Sequence, residues 1–103
     1  MIRFQRTARI SRGKLLEAFQ WAKEVSEYLG NKYPQILTIG AYQEIFGDVS
    51  AIHWFADYKD LATLESGTTQ LQSDEGYWAR IGKANEAGLF IEGSIHDTLV
   101  QSL

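Results

Sequence analysis

The sequence predicts an α+β fold: a four-stranded antiparallel sheet with helices on one face, built in the order βαββ(αα)β. Three observations carry this. Residues 2–10 alternate between apolar and polar, as a half-buried strand does. Two extended runs, 35–46 and 49–56, are separated only by Gly47-Asp48, a dipeptide suited to a tight hairpin. The stretches on either side carry apolar residues at helical spacing. Strands joined by so short a turn are antiparallel neighbours, which excludes a doubly wound parallel sheet.

In the first strand Ile2, Phe4, Ala8 and Ile10 share one face and Arg3, Gln5, Thr7 and Arg9 the other, with Arg6 interrupting the apolar row. Ser11 is placed to cap a helix from about Gly13 to Leu29, which Gly30-Asn31 would stop and Pro34 would forbid from continuing. Leu15, Phe19, Ala22, Ser26 and Leu29 form its core stripe. A second stripe, Ala18, Trp21, Val25 and Tyr28, either widens that core face or sets Trp21 and Tyr28 against a partner subunit.

The hairpin is apolar on both faces, with Leu37, Ile39, Ala41 and Ile45 against Ile36, Tyr42 and Phe46, and Val49, Ala51 and Phe55 against Ile52, Trp54 and Ala56. A sheet covered on both sides reads this way. One cover is the chain's own helices and the other, most simply, a second copy. Asp57 is placed to cap the next helix with Asp60 as its capping-box partner, and Leu61, Leu64, Thr68 and Leu71 make its stripe. Gly67 and the threonines weaken this helix, so a break is expected between Gly67 and Ser73. Ser73-Asp74-Glu75 opens another helix, with Tyr77, Trp78, Ile81 and Ala84 as its apolar positions and Gly88 as its stop; a last strand, interrupted at Gly93, runs from Phe90 to Val100.

One domain spans residues 1–103, and a chain this short buries only about two-thirds of its unfolded surface. With 45% hydrophobic residues the composition is that of an ordered globular protein. The net charge of −3 argues against a nucleic-acid or anionic-membrane partner. The acid-free start with Arg3, Arg6, Arg9 and Arg12 imitates a transit peptide, but the same residues supply the first strand. No apolar run reaches the roughly 20 residues of a membrane span. With no cysteine, disulfides and thiol chemistry are excluded. A cytoplasmic location is expected.

Three passages carry a resemblance: Ile10-Ser11-Arg12-Gly13-Lys14, Ser73-Asp74-Glu75-Gly76-Tyr77-Trp78, and Gly93-Ser94-Ile95-His96-Asp97-Thr98-Leu99. With the element order they make nearly the whole chain resemble the ferredoxin-like dimeric α+β-barrel superfamily, in particular its small NIPSNAP-like and antibiotic-biosynthesis-monooxygenase-like domains. Gly76 departs from the longer polar residue more usual there. The resemblance implies a homodimer whose two sheets face each other as a barrel, with any small-molecule site between each sheet and its helices. It does not choose an activity, since such folds carry cofactor-free oxygenases, isomerases, haem proteins and members of no known activity.

His53, mid-strand before Trp54 and Phe55, is the candidate catalytic base; the alternative is a histidine tied to backbone or facing a partner. His96, beside Asp97, is a second acid–base candidate or a surface group. Tyr42, Trp54 and Trp78, with Tyr77, are suited to line a pocket for a flat organic molecule, or to fill core. Arg9, with Arg3, is suited to hold a carboxylate or phenolate, or to pair across a dimer with Glu44 or Asp97. Two histidines without a ligand partner at helical spacing give no metal signature, and no cofactor is expected.

The expectation is therefore a homodimer that binds a small apolar or aromatic ligand in the sheet–helix cleft. One alternative is a cofactor-independent monooxygenase or isomerase acting on an activated aromatic substrate. In it His53 is the base, Tyr42 and Trp78 hold the ring and Arg9 stabilises negative charge. The other is a non-catalytic dimeric module with a closed cleft. Because both hairpin faces are apolar, the sequence leaves open whether His53 or Trp54 looks into the cleft.

Overall fold

A computed structural model describes residues 1–103. β1 (Ile2–Arg9), α1 (Leu15–Lys32), β2 (Thr38–Gln43), β3 (Ala51–Tyr58), α2 (Leu61–Gln72), α3 (Glu75–Ala87) and β4 (His96–Gln101) follow in the predicted order. The strands make one antiparallel sheet, β2-β3-β1-β4. No helix is long and apolar enough to cross a membrane.

Register decides which side chains share a face. Arg6 lies opposite Trp54 on β3 and Asp97 on β4, and Thr7 lies opposite His53 and His96. Since side chains alternate across the pleat, Ile2, Phe4, Arg6, Ala8, Ile52, Trp54 and Ala56 look toward the helices. Arg3, Gln5, Thr7, Arg9, Tyr42, His53, Phe55 and His96 look the other way, where no element of this chain covers them. The core joins Ala8, Ile10, Ile52 and Trp54 of the sheet side to Ala18, Ala22, Ala84 and Leu89. Alanines at the contacts let the helices approach closely, and of the 15 residues buried among 103 only Ala51 belongs to the other sheet face.

Several local expectations are corrected. Ser11 does not cap α1. Its carbonyl accepts from Lys14 N–H at 3.0 Å around Gly13, whose φ of +80° suits the third position of a type II turn, and α1 starts at Leu15 without a side-chain cap. Gly30-Asn31 does not stop the helix, which runs to Lys32 and ends before Pro34. Leu15 is exposed, and the buried stripe is Ala18, Ala22, Val25, Ser26 and Leu29. The second stripe does widen the core face of α1, as the first of its two readings has it, with Ala18 and Val25 buried and Trp21 against the core. The Trp21 indole donates to the Arg80 carbonyl at 2.9 Å, and the Tyr28 hydroxyl donates to Asp74 at 2.6 Å.

The hairpin is not a two-residue turn. β2 ends at Gln43 and β3 starts at Ala51, and the loop between is built by its own side chains: Glu44 accepts from Asp48 N–H, and Asp48 accepts from the Ser50 hydroxyl at 2.6 Å. Asp57 is a strand residue that takes both arms of the Arg3 guanidinium, at 2.8 and 3.0 Å. The cap of α2 is Asp60, accepting from Thr63 N–H at 2.8 Å. α2 continues through Gly67, and the break comes at Ser73-Asp74.

Asp74 caps α3 by accepting from Tyr77 N–H at 2.8 Å, and it also takes the hydroxyls of Tyr28 and Tyr33 and the Lys32 ammonium at 2.9 Å. Burial alone would raise its pKa, but those bonds outweigh it and hold the carboxyl far below the carboxylate range. Gly76 follows from this cluster. A Cβ there would run into the Tyr28 hydroxyl and ring, so the departure from a longer residue is what lets Tyr28 reach Asp74. Gly88, at φ +62°, ends α3 as expected. The last strand is shorter than predicted: Phe90 makes a single bridge to Ile10, and β4 begins at His96.

Candidate functional site

Between the sheet and the helices lies a cavity of about 330 Å³, lined by 21 residues of which 18 are hydrophobic. Its floor is Phe4, Ala8, Trp54 and Ala56; Trp21, Val25 and Leu29 of α1 form one wall. Gly67 and Leu71 of α2 and Tyr77, Trp78, Ile81 and Ala84 of α3 cover it, with Phe90 and Ile95 from the segment before β4. Three rings pack edge to face there, with centroids 6.1 Å (Trp21–Trp54), 5.5 Å (Trp21–Phe90) and 5.8 Å (Trp54–Phe90) apart. This geometry suits aromatic pairs and fixes the Trp54 ring.

Polar groups on this wall are few. Arg6 enters from β1, its guanidinium held by Asp97 through bonds of 2.8 and 2.9 Å, which keep the arginine pKa above its ordinary value and that of Asp97 below. Asn85, Tyr33, Tyr58 and Tyr77 are the other lining residues with a polar group, and the Tyr33 hydroxyl is already given to Asp74. Burial pushes the Tyr58 phenol up, so it stays protonated near neutral pH and is available as a donor. The Trp54 Nε1–H is buried with no protein partner. An unpaired buried donor costs roughly 1–3 kcal/mol. The wall is thus shaped for a flat apolar body and offers the Tyr58 hydroxyl to an acceptor atom.

The sequence-predicted residues divide between two faces. Trp54 and Trp78 line the cavity. His53, Tyr42, Arg9 and His96 stand on the open sheet face, because register sends their strand positions the other way. A substrate held by Trp78 therefore cannot meet His53 within one chain. His53 is also fully engaged: Nε2 donates to Glu44 Oε1 at 2.8 Å, and Nδ1 is hydrogen-bonded to the Thr7 hydroxyl at 2.8 Å. Arg9 pairs with Asp48 at 3.0 Å and Arg3 with Asp57, so both arginines find acids within the chain rather than Glu44 or Asp97 across a dimer. Tyr42 packs edge to face on Phe55 at 5.2 Å, and His96 is exposed.

Sequence reasoning missed Arg6, Tyr58, Phe4 and Trp21 as lining groups. One signal was present: Arg6 interrupts the apolar row of β1. A second groove, of about 720 Å³ between α1 and β2, mixes apolar residues such as Phe19, Leu37 and Ile39 with Lys23, Glu27, Asn31 and Gln43, and Tyr42 lies on its wall. No group of three or more His, Cys, Asp or Glu side chains is gathered closely enough to hold a metal ion.

A family model described as a family of unknown function, DUF6039, matches residues 2–102. No curated protein matches the chain. Among solved structures, a NIPSNAP domain protein from Burkholderia xenovorans superposes with a TM-score of 0.80 at 16% identity, covering 100% of this chain and 95% of that one. A NIPSNAP family protein from Agrobacterium tumefaciens gives 0.76 at 21%, covering 99% and 92%. A protein from Nitrosomonas europaea, provisionally assigned as an antibiotic biosynthesis monooxygenase, gives 0.76 at 12%, covering 100% and 99%. At these identities the likeness is one of fold: the chain has the ferredoxin-like α+β fold of NIPSNAP and antibiotic-biosynthesis-monooxygenase domains.

Proposed function

Because the chain belongs to DUF6039, a family of unknown function, its role has to be read from its own geometry, and we propose that it binds a small, flat, largely apolar aromatic molecule in the sheet–helix cavity. The carrying observation is that cavity of about 330 Å³ with 18 hydrophobic residues among 21. An apolar opening of this size between sheet and helices falls in the range that holds small organic ligands. A non-catalytic module with a closed cleft is correspondingly disfavoured. The Tyr58 hydroxyl favours a ligand with a carbonyl or phenolic oxygen.

We also propose that the working form is a homodimer joined through the open sheet face. That face carries Tyr42, Phe55 and Val100 among its polar groups, and its arginines are already neutralised by Asp57 and Asp48. A second copy would cover it without stranding a charge.

A cofactor-independent oxygenation or isomerisation is the second reading, favoured by the fold shared with the Nitrosomonas europaea protein. In this chain such chemistry would rest on Arg6, Tyr58, Tyr77 and Trp54, the polar groups of the cavity, and not on His53.

The test is quenching of tryptophan fluorescence by 2-naphthol, with Ala84→Leu as the control. Ala84 is buried on the cavity wall, and a leucine there removes volume. Saturable quenching that weakens about tenfold or more in Ala84→Leu is expected; equal quenching in both proteins contradicts binding in the cavity. Oxygen uptake with a dihydroxynaphthalene, lost on Trp54→Phe, would favour the oxygenase reading.

A further inference from the structure

We propose that α2 is a lid over the cavity, loosening between its two short links, Lys59-Asp60 to β3 and Ser73-Asp74 to α3, while α3 stays fixed. The two cover helices are attached in different ways. α3 is anchored through its cap Asp74 to Tyr28, Tyr33 and Lys32 of the α1 segment. It is held further by the Trp21 bond to the Arg80 carbonyl, the Arg80–Glu24 ion pair at 2.8 Å and buried Ala84. α2 buries no residue. Its side-chain hydrogen bonds, Thr63 to Asp60, Thr68 to Leu64, Thr69 to Glu65 and Gln70 to Ser66, stay within the helix and its own cap, and no ion pair includes it.

What holds α2 down is a narrow half-buried stripe, Leu64, Gly67 and Leu71, resting toward Ile36 and Tyr58. Apart from the backbone bonds of the Ser73-Asp74 junction, its outside polar tie is the Trp78 indole, which donates to the carbonyls of Leu71 (3.1 Å) and Gln72 (3.2 Å). Gly67 and three threonines lower its intrinsic helix stability. An element with few buried contacts and exposed backbone hydrogen bonds opens before the rest of its domain. Because Gly67 and Leu71 line the cavity, that opening gives an apolar molecule a way in. As a route for a ligand, the lid rests on the proposed binding function; as a mobile unit it does not.

Two measurements on the full chain test it. Amide hydrogen exchange without ligand should be at least about tenfold faster at residues 65–71 than at 79–86; matching rates, meaning one cooperative unit, would overturn the lid. The second is a lock. A Cβ at Gly67 would sit 2.9 Å from Ile36 Cγ2, one bond from the Ile36 Cβ, so the two Cβ atoms lie no farther apart than the roughly 4.5 Å a disulfide reaches. Since the chain has no cysteine, Ile36→Cys with Gly67→Cys forms a single reducible clamp. Oxidation should slow both association and release of 2-naphthol by about tenfold, reversibly on reduction; unchanged rates in the clamped protein contradict the lid. If wild-type protein takes up no 2-naphthol, the binding reading fails, and amide exchange still decides whether α2 moves alone.

Discussion

The His53 imidazole bridges Thr7 and Glu44, with a 2.8 Å hydrogen bond on each side. It ties β1, β3 and the loop after β2 into one polar array on the sheet face that the helices do not cover. Trp54, the next residue, is packed into the cavity on the other face. Two adjacent residues thus belong to different surfaces, and their substitutions should have separable effects.

His53→Ala should leave 2-naphthol affinity within about twofold of wild type, because the ring is on the far side of the sheet from the cavity. It should lower the thermal midpoint by several degrees, since Thr7 and Glu44 lose their partner. Fluorescence titration and differential scanning calorimetry check this. A large loss of binding with unchanged stability would return His53 to the ligand site.

Asp74→Asn should be among the more damaging polar substitutions, lowering the thermal midpoint by about 10 °C or more. The amide cannot offer the carboxylate's acceptor strength to Tyr28, Tyr33, Lys32 and Tyr77 N–H together. Calorimetry at pH 7 measures it. A midpoint within two or three degrees of wild type, roughly the effect of an ordinary surface change, would contradict the anchoring role.

The pH dependence follows from the same groups. The carboxyls of Asp74, Asp57 and Asp97 are all held below their ordinary value in the folded state. Their stabilisation is complete above the unfolded carboxylate pKa of about 4 and is lost as pH falls through the lower folded values. Lys32 and Tyr33 are raised, so their contribution is complete below about pH 10 and is lost as pH rises beyond it. Chemical denaturation from pH 2 to 11 should show a plateau between these limits. Stability that rises on acidification below pH 4 would contradict the assignment.

Gly76→Ala should destabilise the chain although alanine is the better helix former by about 1 kcal/mol, because its methyl displaces Tyr28 from Asp74. Tyr28→Phe should already have lost that bond and give the ring room to turn. The double variant should then sit closer to Tyr28→Phe alone than additivity allows, which a thermal-denaturation double-mutant cycle measures. Strict additivity would mean that Gly76 and Tyr28 do not interact.

Tyr42→Glu or Val100→Glu should convert a homodimer to monomer with cavity binding retained, by placing charge on the open sheet face. Sedimentation velocity reads the mass. A wild-type chain that sediments as a monomer at high micromolar concentration would remove the dimer proposal.

The order of elements was legible because the helical stripes and the β1 alternation are strong, and Asp74 and Gly88 mark the ends of α3 plainly. The site was only half legible. β3 reads Ala-Ile-His-Trp-Phe-Ala, apolar at both parities, and its parity is settled only by pairing with β1, where Ala8 and Phe4 are forced inward. Ser11 and Asp57 looked like caps because their residue types fit. The Gly13 turn takes up Ser11, and the Arg3 guanidinium takes up Asp57, and neither event is local in sequence. The loop after β2 looked like a two-residue turn because the side-chain bonds of Glu44 and Asp48 that build it leave no composition signature. Arg6 was visible as an interruption, and its meaning needed Asp97, 91 residues away.

Location of the ligand is most directly tested by the three indole N–H resonances in a 1H–15N spectrum of the full chain. Trp21 Nε1 is bonded to the Arg80 carbonyl, Trp78 Nε1 to the end of α2, and Trp54 Nε1 to no protein group. Titration with 2-naphthol should move the Trp54 resonance most, Trp78 next, and leave the amides of Tyr42 and His53 in place. A spectrum that shifts only at Tyr42, His53 and the loop after β2, or does not shift at all, would contradict ligand binding between sheet and helices.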